Sequence, residues 1–211
     1  IMANKIYVGL LGLGTIGTGV ARIIGGHQNK INQVVGQEVV IKTVLDRDLD
    51  KCKAFFGDSV HCTDNFDEIL NDDDISIIVE LIGYVPAAKD YISQALAAGK
   101  HVVSANKDLV ALHGKELVTL AKANKCDFLY EAAVAGGVPI LRAITESFAS
   151  DNIQKVMGIV NGTTNFMMTK MDKEGYSYDE ALALAQELGF AEKNPTSDVD
   201  GLDAARKMVI L

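Results

Sequence analysis

Residues 5 to 17 read Lys5-Ile6-Tyr7-Val8-Gly9-Leu10-Leu11-Gly12-Leu13-Gly14-Thr15-Ile16-Gly17. The run from Lys5 to Leu11 is apolar and ends on glycine, which predicts a buried strand. Gly12 to Gly17 is a G-x-G-x-x-G, and Thr15 to Ile24 reads as a helix. Alone, three such glycines are a weak sign of a dinucleotide site; between a strand and a helix they are a strong one. Gly12 permits a tight turn, Gly14 lets the backbone approach a pyrophosphate, and Gly17 lets the helix pack close to the sheet. The helix start at Thr15 and Ile16 offers free N–H groups and a positive dipole end to the phosphates.

Outward from this unit, strand-like and helix-like runs alternate up to about residue 130. Strands are predicted at Val39–Leu45, Ile75–Ile82, His101–Ser104 and Phe128–Tyr130. Helices are predicted at Asp48–Phe56, Ala87–Ala98 and Gly114–Ala123, with Pro86 in a good starting position. That alternation predicts an α/β fold with a doubly wound parallel sheet of the Rossmann type. The second strand ends at Asp46-Arg47. A carboxylate there accepts from the ribose 2′-hydroxyl of NAD, whereas an arginine pairs with the 2′-phosphate of NADP. Both stand side by side, and the choice between NAD and NADP stays open.

The pattern changes after Glu131, giving a dinucleotide-binding domain over 1–135 and the start of an α+β substrate and dimerisation domain over 136–211. A helix is predicted over Pro139–Phe148, a strand over Gln154–Asn161 and a helix over Asn165–Lys173. Ser177 to Glu180 is a capping box for a helix running to Leu188 and stopped by Gly189. Ser197 or Asp198 is expected to cap a last helix to Leu211. That helix ends in Met208-Val209-Ile210-Leu211, an apolar run that predicts a missing contact and a longer parent chain.

The composition excludes several classes. Of 211 residues, 48% are hydrophobic and 23% charged, as expected of a folded domain rather than a disordered chain. Twenty Lys and Arg against 28 Asp and Glu give a net charge of −8, which exerts no global pull on nucleic acid. No apolar run is long enough to span a membrane. Residues 1–5 have none of the features of a signal peptide. Cys52, Cys62 and Cys126 form no metal-ligand spacing and are expected as reduced thiols in a cytoplasm. His27, His61, His101 and His113 are dispersed, without a metal cluster.

No serine elbow or activated cysteine is present, which disfavours acyl-enzyme chemistry. Lysines and carboxylates in loops after strands remain. Lys107 follows a predicted parallel strand, at the edge where such sheets bind ligands. Asp203 and Lys207 share a helix face four residues apart, the spacing also of an ordinary surface ion pair. Glu192 and Asp198 precede that helix and read otherwise as solvated acids.

Taken together, these segments resemble the homoserine dehydrogenases. The resemblance rests on Gly12–Gly17, Ser104-Ala105-Asn106-Lys107, Glu131 to Ile140, Gly158 to Phe166 with its Asn161-Gly162-Thr163-Thr164-Asn165-Phe166 loop, Leu188 to Glu192 through Pro195 and Asp198, and Gly201-Leu202-Asp203 to Lys207. It implies reduction of L-aspartate 4-semialdehyde to L-homoserine with NADH or NADPH, toward threonine and methionine. It assigns catalysis to Lys207 as general acid, with Lys107 and Asp203. It assigns substrate binding to Glu192, Asp203, Asp198 and Thr163. Cofactor contacts fall to Gly12, Gly14, Thr15, Ile16, Gly17, Asp46, Arg47, Gly83 and Lys107. A monovalent cation, sodium, is implied at Glu131, Val134, Gly136 and Val138, held by a carboxylate and backbone carbonyls. A homodimer with a small-molecule substrate is implied for the full-length protein. Two departures stand out. Glu80 to Pro86 is one residue shorter than the family stretch, which carries two glycines, and the family continues past the Lys207 helix. The other reading is therefore a dinucleotide-binding fragment without turnover. A related enzyme acting on the phosphorylated acid needs a nucleophilic cysteine in a motif that is absent here.

Overall fold

A computed structural model describes residues 5–211. The chain divides into two compact units, one ending at Ala133 and the other running from Val134 to Leu211. In the first, β1 (Lys5–Leu11) leads into α1 (Thr15–Gly26), and α2 (Gln28–Val35) precedes β2 (Glu38–Leu45). Next come α3 (Leu49–Phe56), β3 (His61–Thr63), α4 (Asp67–Leu70), β4 (Ile75–Glu80), α5 (Val85–Ala97), β5 (His101–Ser104), α6 (Lys107–Ala123) and β6 (Phe128–Leu129). A 3-10 turn at Glu131–Ala133 closes the unit.

All strand pairs are parallel, in the order β3-β2-β1-β4-β5-β6. The strand order reverses direction between β1 and β4, the switch point at which doubly wound sheets bind dinucleotides. Pairing aligns Leu11 with Leu45 and with Glu80, and Glu80 with Ser104. The carboxyl ends of β1, β2, β4 and β5 thus share one edge. Leu10, Leu13, Val44 and Cys52 are completely buried, with Ala21 and Ile41 beside them. Ile78, Ile92, Leu96, Val102, Leu109 and Leu117 are also fully buried. Helix starts are fixed by side chains: Asp48 accepts from the Lys51 N–H and Asn106 from the Leu109 N–H.

Three features of this unit differ from the sequence reading. The helix expected from Gly114 starts at Lys107, because Asn106 caps it and Gly114 lies within it. α2, β3 and α4 are additional, and β3 is only three residues held by pairing to β2. Cys52 and Cys62, expected as thiols, are joined in a disulfide with Cα atoms 6.1 Å apart, because α3 packs against β3. These two cysteines therefore supply no argument for a reducing compartment. Cys126 is free and buried, and burial pushes its thiol pKa up.

In the second unit, α7 (Ile140–Arg142) continues into a π-helical turn at Ala143–Ser147. α8 (Gly162–Glu174), α9 (Tyr178–Glu187), α10 (Thr196–Val199) and α11 (Leu202–Ile210) follow. The Ser177/Glu180 capping box is present. Met167, Ala181, Ala185 and Ala191 form the buried contact of α8 and α9. The strand expected at 154–161 is absent, since no described strand pairs with that segment and a strand exists only by pairing. The single last helix is instead two, because Gly201 adopts φ 75° and breaks it. Among the described residues no helix is long and apolar enough to cross a membrane.

Candidate active site

The glycine loop is built as its spacing demands. Gly12 adopts φ +95°, and a side chain there would press on the Leu81 carbonyl at 3.0 Å. Its N–H donates to the Leu45 carbonyl at 2.8 Å, extending the β1–β2 ladder into the turn. A Cβ at Gly17 would overlap the Gly12 carbonyl oxygen, so the helix and the turn touch backbone to backbone. Gly14 is the contrast, because a Cβ there would meet nothing within 4 Å. Gly14 is also the N-cap of α1, and no side chain caps that helix end. The open face beside Gly14 and the uncapped N–H groups of Thr15 and Ile16 fit a pyrophosphate.

Beside this loop lies a cleft of about 450 Å³ lined by Gly12, Gly14, Asp46, Arg47, Lys51 and Tyr84, among others. The sequence offers Asp46 as a candidate ribose acceptor; in the structure its carboxylate is held by backbone amides. Its Oδ2 accepts from the Leu13 N–H at 2.6 Å and its Oδ1 from the Asp48 N–H at 2.9 Å. The carboxylate thus pins the glycine loop to the turn after β2. Arg47 and Lys51 are exposed in the same cleft.

At the carboxyl ends of β4 and β5, Glu80 is completely buried. It accepts from the Ile82 N–H and the Ser104 hydroxyl. Lys107 opens α6 and is half-buried. Gly83 is exposed with φ +78° in the turn between β4 and α5.

The second unit gathers several predicted residues into one network. Lys207 Nζ lies 2.6 Å from Asp203 Oδ2 and donates to the Val160 carbonyl at 2.5 Å. Asp203 is 6% exposed. Thr163 Oγ1 is within hydrogen-bonding distance of the Phe190 carbonyl at 2.6 Å and of Asp198 Oδ2 at 2.9 Å. Asn161 enters the sequence reading only as the first residue of the Asn161–Phe166 motif, without a site role, yet it sits at the centre. Its Nδ2 donates to Asp198 Oδ1 at 2.8 Å and to Asp203 Oδ2 at 2.9 Å. Its Oδ1 accepts from the Thr164 N–H and hydroxyl, both at 2.8 Å, and caps α8. Glu192 is outside this network. It is exposed, and its backbone carbonyl accepts from Gln186 Nε2.

Glu131 begins the 3-10 turn that ends the first unit. In the second unit, Val138 donates its N–H to the Ala135 carbonyl at 2.8 Å, and Ala135 and Gly137 take positive φ. Among the described residues no group of three or more His, Cys, Asp or Glu side chains is placed to hold a metal.

A parallel sheet with its switch point beside a G-x-G-x-x-G loop and an acidic residue ending the second strand defines a Rossmann-type dinucleotide-binding protein. The family model described as "Homoserine dehydrogenase, NAD binding domain" matches residues 12–131, and that described as "Homoserine dehydrogenase" matches 139–211. The chain belongs to the homoserine dehydrogenase family. It is 54% identical over 208 residues to a homoserine dehydrogenase of Bacillus subtilis, covering 99% of this chain and 48% of that one. It is 49% identical over 209 residues to one of Lactococcus lactis, covering 98% and 49%. The chain spans about half the length of these relatives. The crystal structure of a homoserine dehydrogenase from Thiobacillus denitrificans superposes with a TM-score of 0.89 at 42% identity, over 97% of this chain and 47% of that one. A hyperthermophilic archaeal homoserine dehydrogenase in complex with NADPH gives 0.83 at 29% identity, over 98% and 68%.

Proposed function

We propose that this chain carries the nucleotide-binding part and the proton-donating helix of an enzyme that reduces L-aspartate 4-semialdehyde to L-homoserine, toward threonine and methionine. The observation that carries the reading is the Lys207–Asp203–Asn161–Asp198 network, in which Asn161 and Asp203 are buried. A bound nicotinamide supplies the hydride. Lys207 gives the proton to the aldehyde oxygen as the carbonyl is reduced, a role worth about 10²–10⁴-fold. Asp203 holds the Lys207 ammonium in place and, with Asp198, Thr163 and Glu192, binds the polar ends of the substrate. Carboxylates facing a cationic amine orient it through charge-assisted hydrogen bonds. Lys107 is assigned to the nicotinamide and the reacting carbon, and Gly83 to the cofactor.

For the cofactor we propose NADP(H) over NAD(H). Both oxygens of Asp46 already accept from loop amides, whereas Arg47 and Lys51 are exposed cations suited to a 2′-phosphate. Glu131 and the carbonyls of Val134, Gly136 and Val138 are proposed to hold sodium, for which all-oxygen donors are appropriate. A homodimer is proposed for the full-length protein. It is supported by the unpaired segment around Met157 and Ile159, which are 77% and 79% exposed. A nucleotide cofactor drawn from the cell interior supports a cytoplasmic location.

The test is oxidation of NADPH and NADH, followed by absorbance, with L-aspartate 4-semialdehyde and a Lys207→Ala control. Turnover by the parent chain that falls about 10²-fold or more in the control is expected. Turnover unchanged by Lys207→Ala would reject the assignment. Cofactor binding without turnover by these 211 residues would select the fragment reading for this chain.

A further inference from the structure

Glu80 ends β4 on the sheet edge that carries the glycine loop, and the reading above gives it no role. Its side chain is 0% exposed. Oε1 accepts from the Ile82 N–H at 2.8 Å and Oε2 from the Ser104 hydroxyl at 2.7 Å. Ser104 Oγ accepts in turn from the Asn106 N–H at 3.0 Å, and Asn106 starts α6. One carboxylate therefore ties the turn after β4 to the turn that carries Lys107. Both of its described partners are neutral. A buried carboxylate held by neutral donors is a costly way to join two turns, and a neutral amide makes the same tie at lower cost. A carboxyl group where an amide would serve is the feature to be explained. The same turn also holds Asn106 Nδ2, a buried donor without a partner.

The sheet order places that carboxyl group in one half of the sheet. Asp46 and Arg47 belong to the β1–β2–β3 half, and Glu80 and Ser104 to the β4–β5–β6 half. A dinucleotide laid across the switch point with its adenosine beside Asp46 places its nicotinamide nucleoside over the second half. The nicotinamide is the part of the cofactor whose charge changes, being cationic when oxidised and neutral when reduced. We propose that Glu80 is a positioning residue for the nicotinamide half of the site, and that its buried charge favours the oxidised cofactor over the reduced one. This rests on the dinucleotide reading above and deepens it.

The test is titration of the 211-residue chain with NADP⁺ and with NADPH, in wild type, Glu80→Gln and Ser104→Ala. Glu80→Gln is expected to raise the ratio of oxidised to reduced Kd by about tenfold, the size of one unit charge acting across several ångströms of partly screened protein. Ser104→Ala removes one tie but keeps the charge. It should weaken both forms together and leave the ratio within about twofold. A purely structural tie would move both forms alike in both variants, so an unchanged ratio in Glu80→Gln overturns the proposal. Where Glu80→Gln lacks the wild-type circular dichroism, Glu80→Met, also neutral and of similar length, is judged by the same criterion. A wild-type chain that binds neither nucleotide overturns the dinucleotide reading and this proposal together. Binding of both with an unmoved ratio overturns this proposal alone.

Discussion

Replacing Asn161 tests whether the network around Lys207 exists as a unit. Asn161 is 8% exposed, and its amide does three jobs. Nδ2 donates to Asp198 and to Asp203, and Oδ1 caps α8. Each hydrogen bond to a charged group is worth about 1.5–3 kcal/mol. The bond to half-buried Asp198 belongs near the low end and that to buried Asp203 nearer the high end. The cap adds about 1 kcal/mol. Asn161→Ala should therefore cost about 5 kcal/mol, a large part of the 5–15 kcal/mol that holds a typical domain. Asn161→Asp separates the contributions. Aspartate caps a helix as well as asparagine does, so about 1 kcal/mol is kept. It also loses both donors and brings a third carboxylate against two others. At about 3 Å and an effective dielectric constant near 20, each like-charge pair costs several kcal/mol. The Asp variant should thus be less stable than the Ala variant by at least about 2 kcal/mol, despite its cap. Urea unfolding followed by far-UV circular dichroism measures this as a shift in midpoint at constant slope. Amide exchange at Thr164 reports the cap separately. An Asp variant as stable as wild type, or more stable than the Ala variant, would refute the two-donor bridge.

Two further outcomes follow from the first unit. Gly17→Ala forces its methyl onto the Gly12 carbonyl, so it should cost about 1–3 kcal/mol and abolish detectable nucleotide binding; a folded variant that binds normally would contradict the loop geometry. Burial pushes the Asp72 carboxyl up, but hydrogen bonds from Lys42 and the Asp74 N–H outweigh it and hold its pKa below 3.8. Its contribution is present above the unfolded value and is lost as pH falls through the lower folded one. Asp72→Asn should therefore cost about 1 kcal/mol or less near neutrality and nothing in strong acid, giving a shallower acid limb in urea midpoints; parallel curves would count against the pairing.

What was legible in the sequence was local. β1 and the glycine loop could be read because an apolar run meets three glycines whose spacing has a steric meaning at each position. The Ser177/Glu180 box could be read because both of its partners lie within one turn. What escaped depends on partners far along the chain. β3 is three residues long, too short for any periodicity, and exists through its pairing with Thr43 to Leu45. The 154–161 segment has strand-like composition, but composition does not supply a neighbour. The disulfide needs α3 laid on β3 before two sulfurs separated by 10 positions in the sequence come together. Asp46 could be placed at a strand end, but not its hold on the Leu13 amide 33 residues away.

The candidate site shows the same division within single residues. Asn106 and Asn161 both cap helices, a local role that turns and spacing could have revealed. In each, the helix claims Oδ1 and so fixes which way the amide faces. Nδ2 is then aimed away from the helix end, in Asn161 at two carboxylates from another part of the chain and in Asn106 at no described acceptor. Aspartate caps equally well but donates nothing. Asparagine at these two positions therefore adds something the cap does not require, namely a donor whose direction the helix has already set. In Asn161 that donor holds Asp203, and Asp203 holds Lys207. Lys207, the proposed proton donor, is thus oriented through a chain of contacts that begins with an ordinary helix cap.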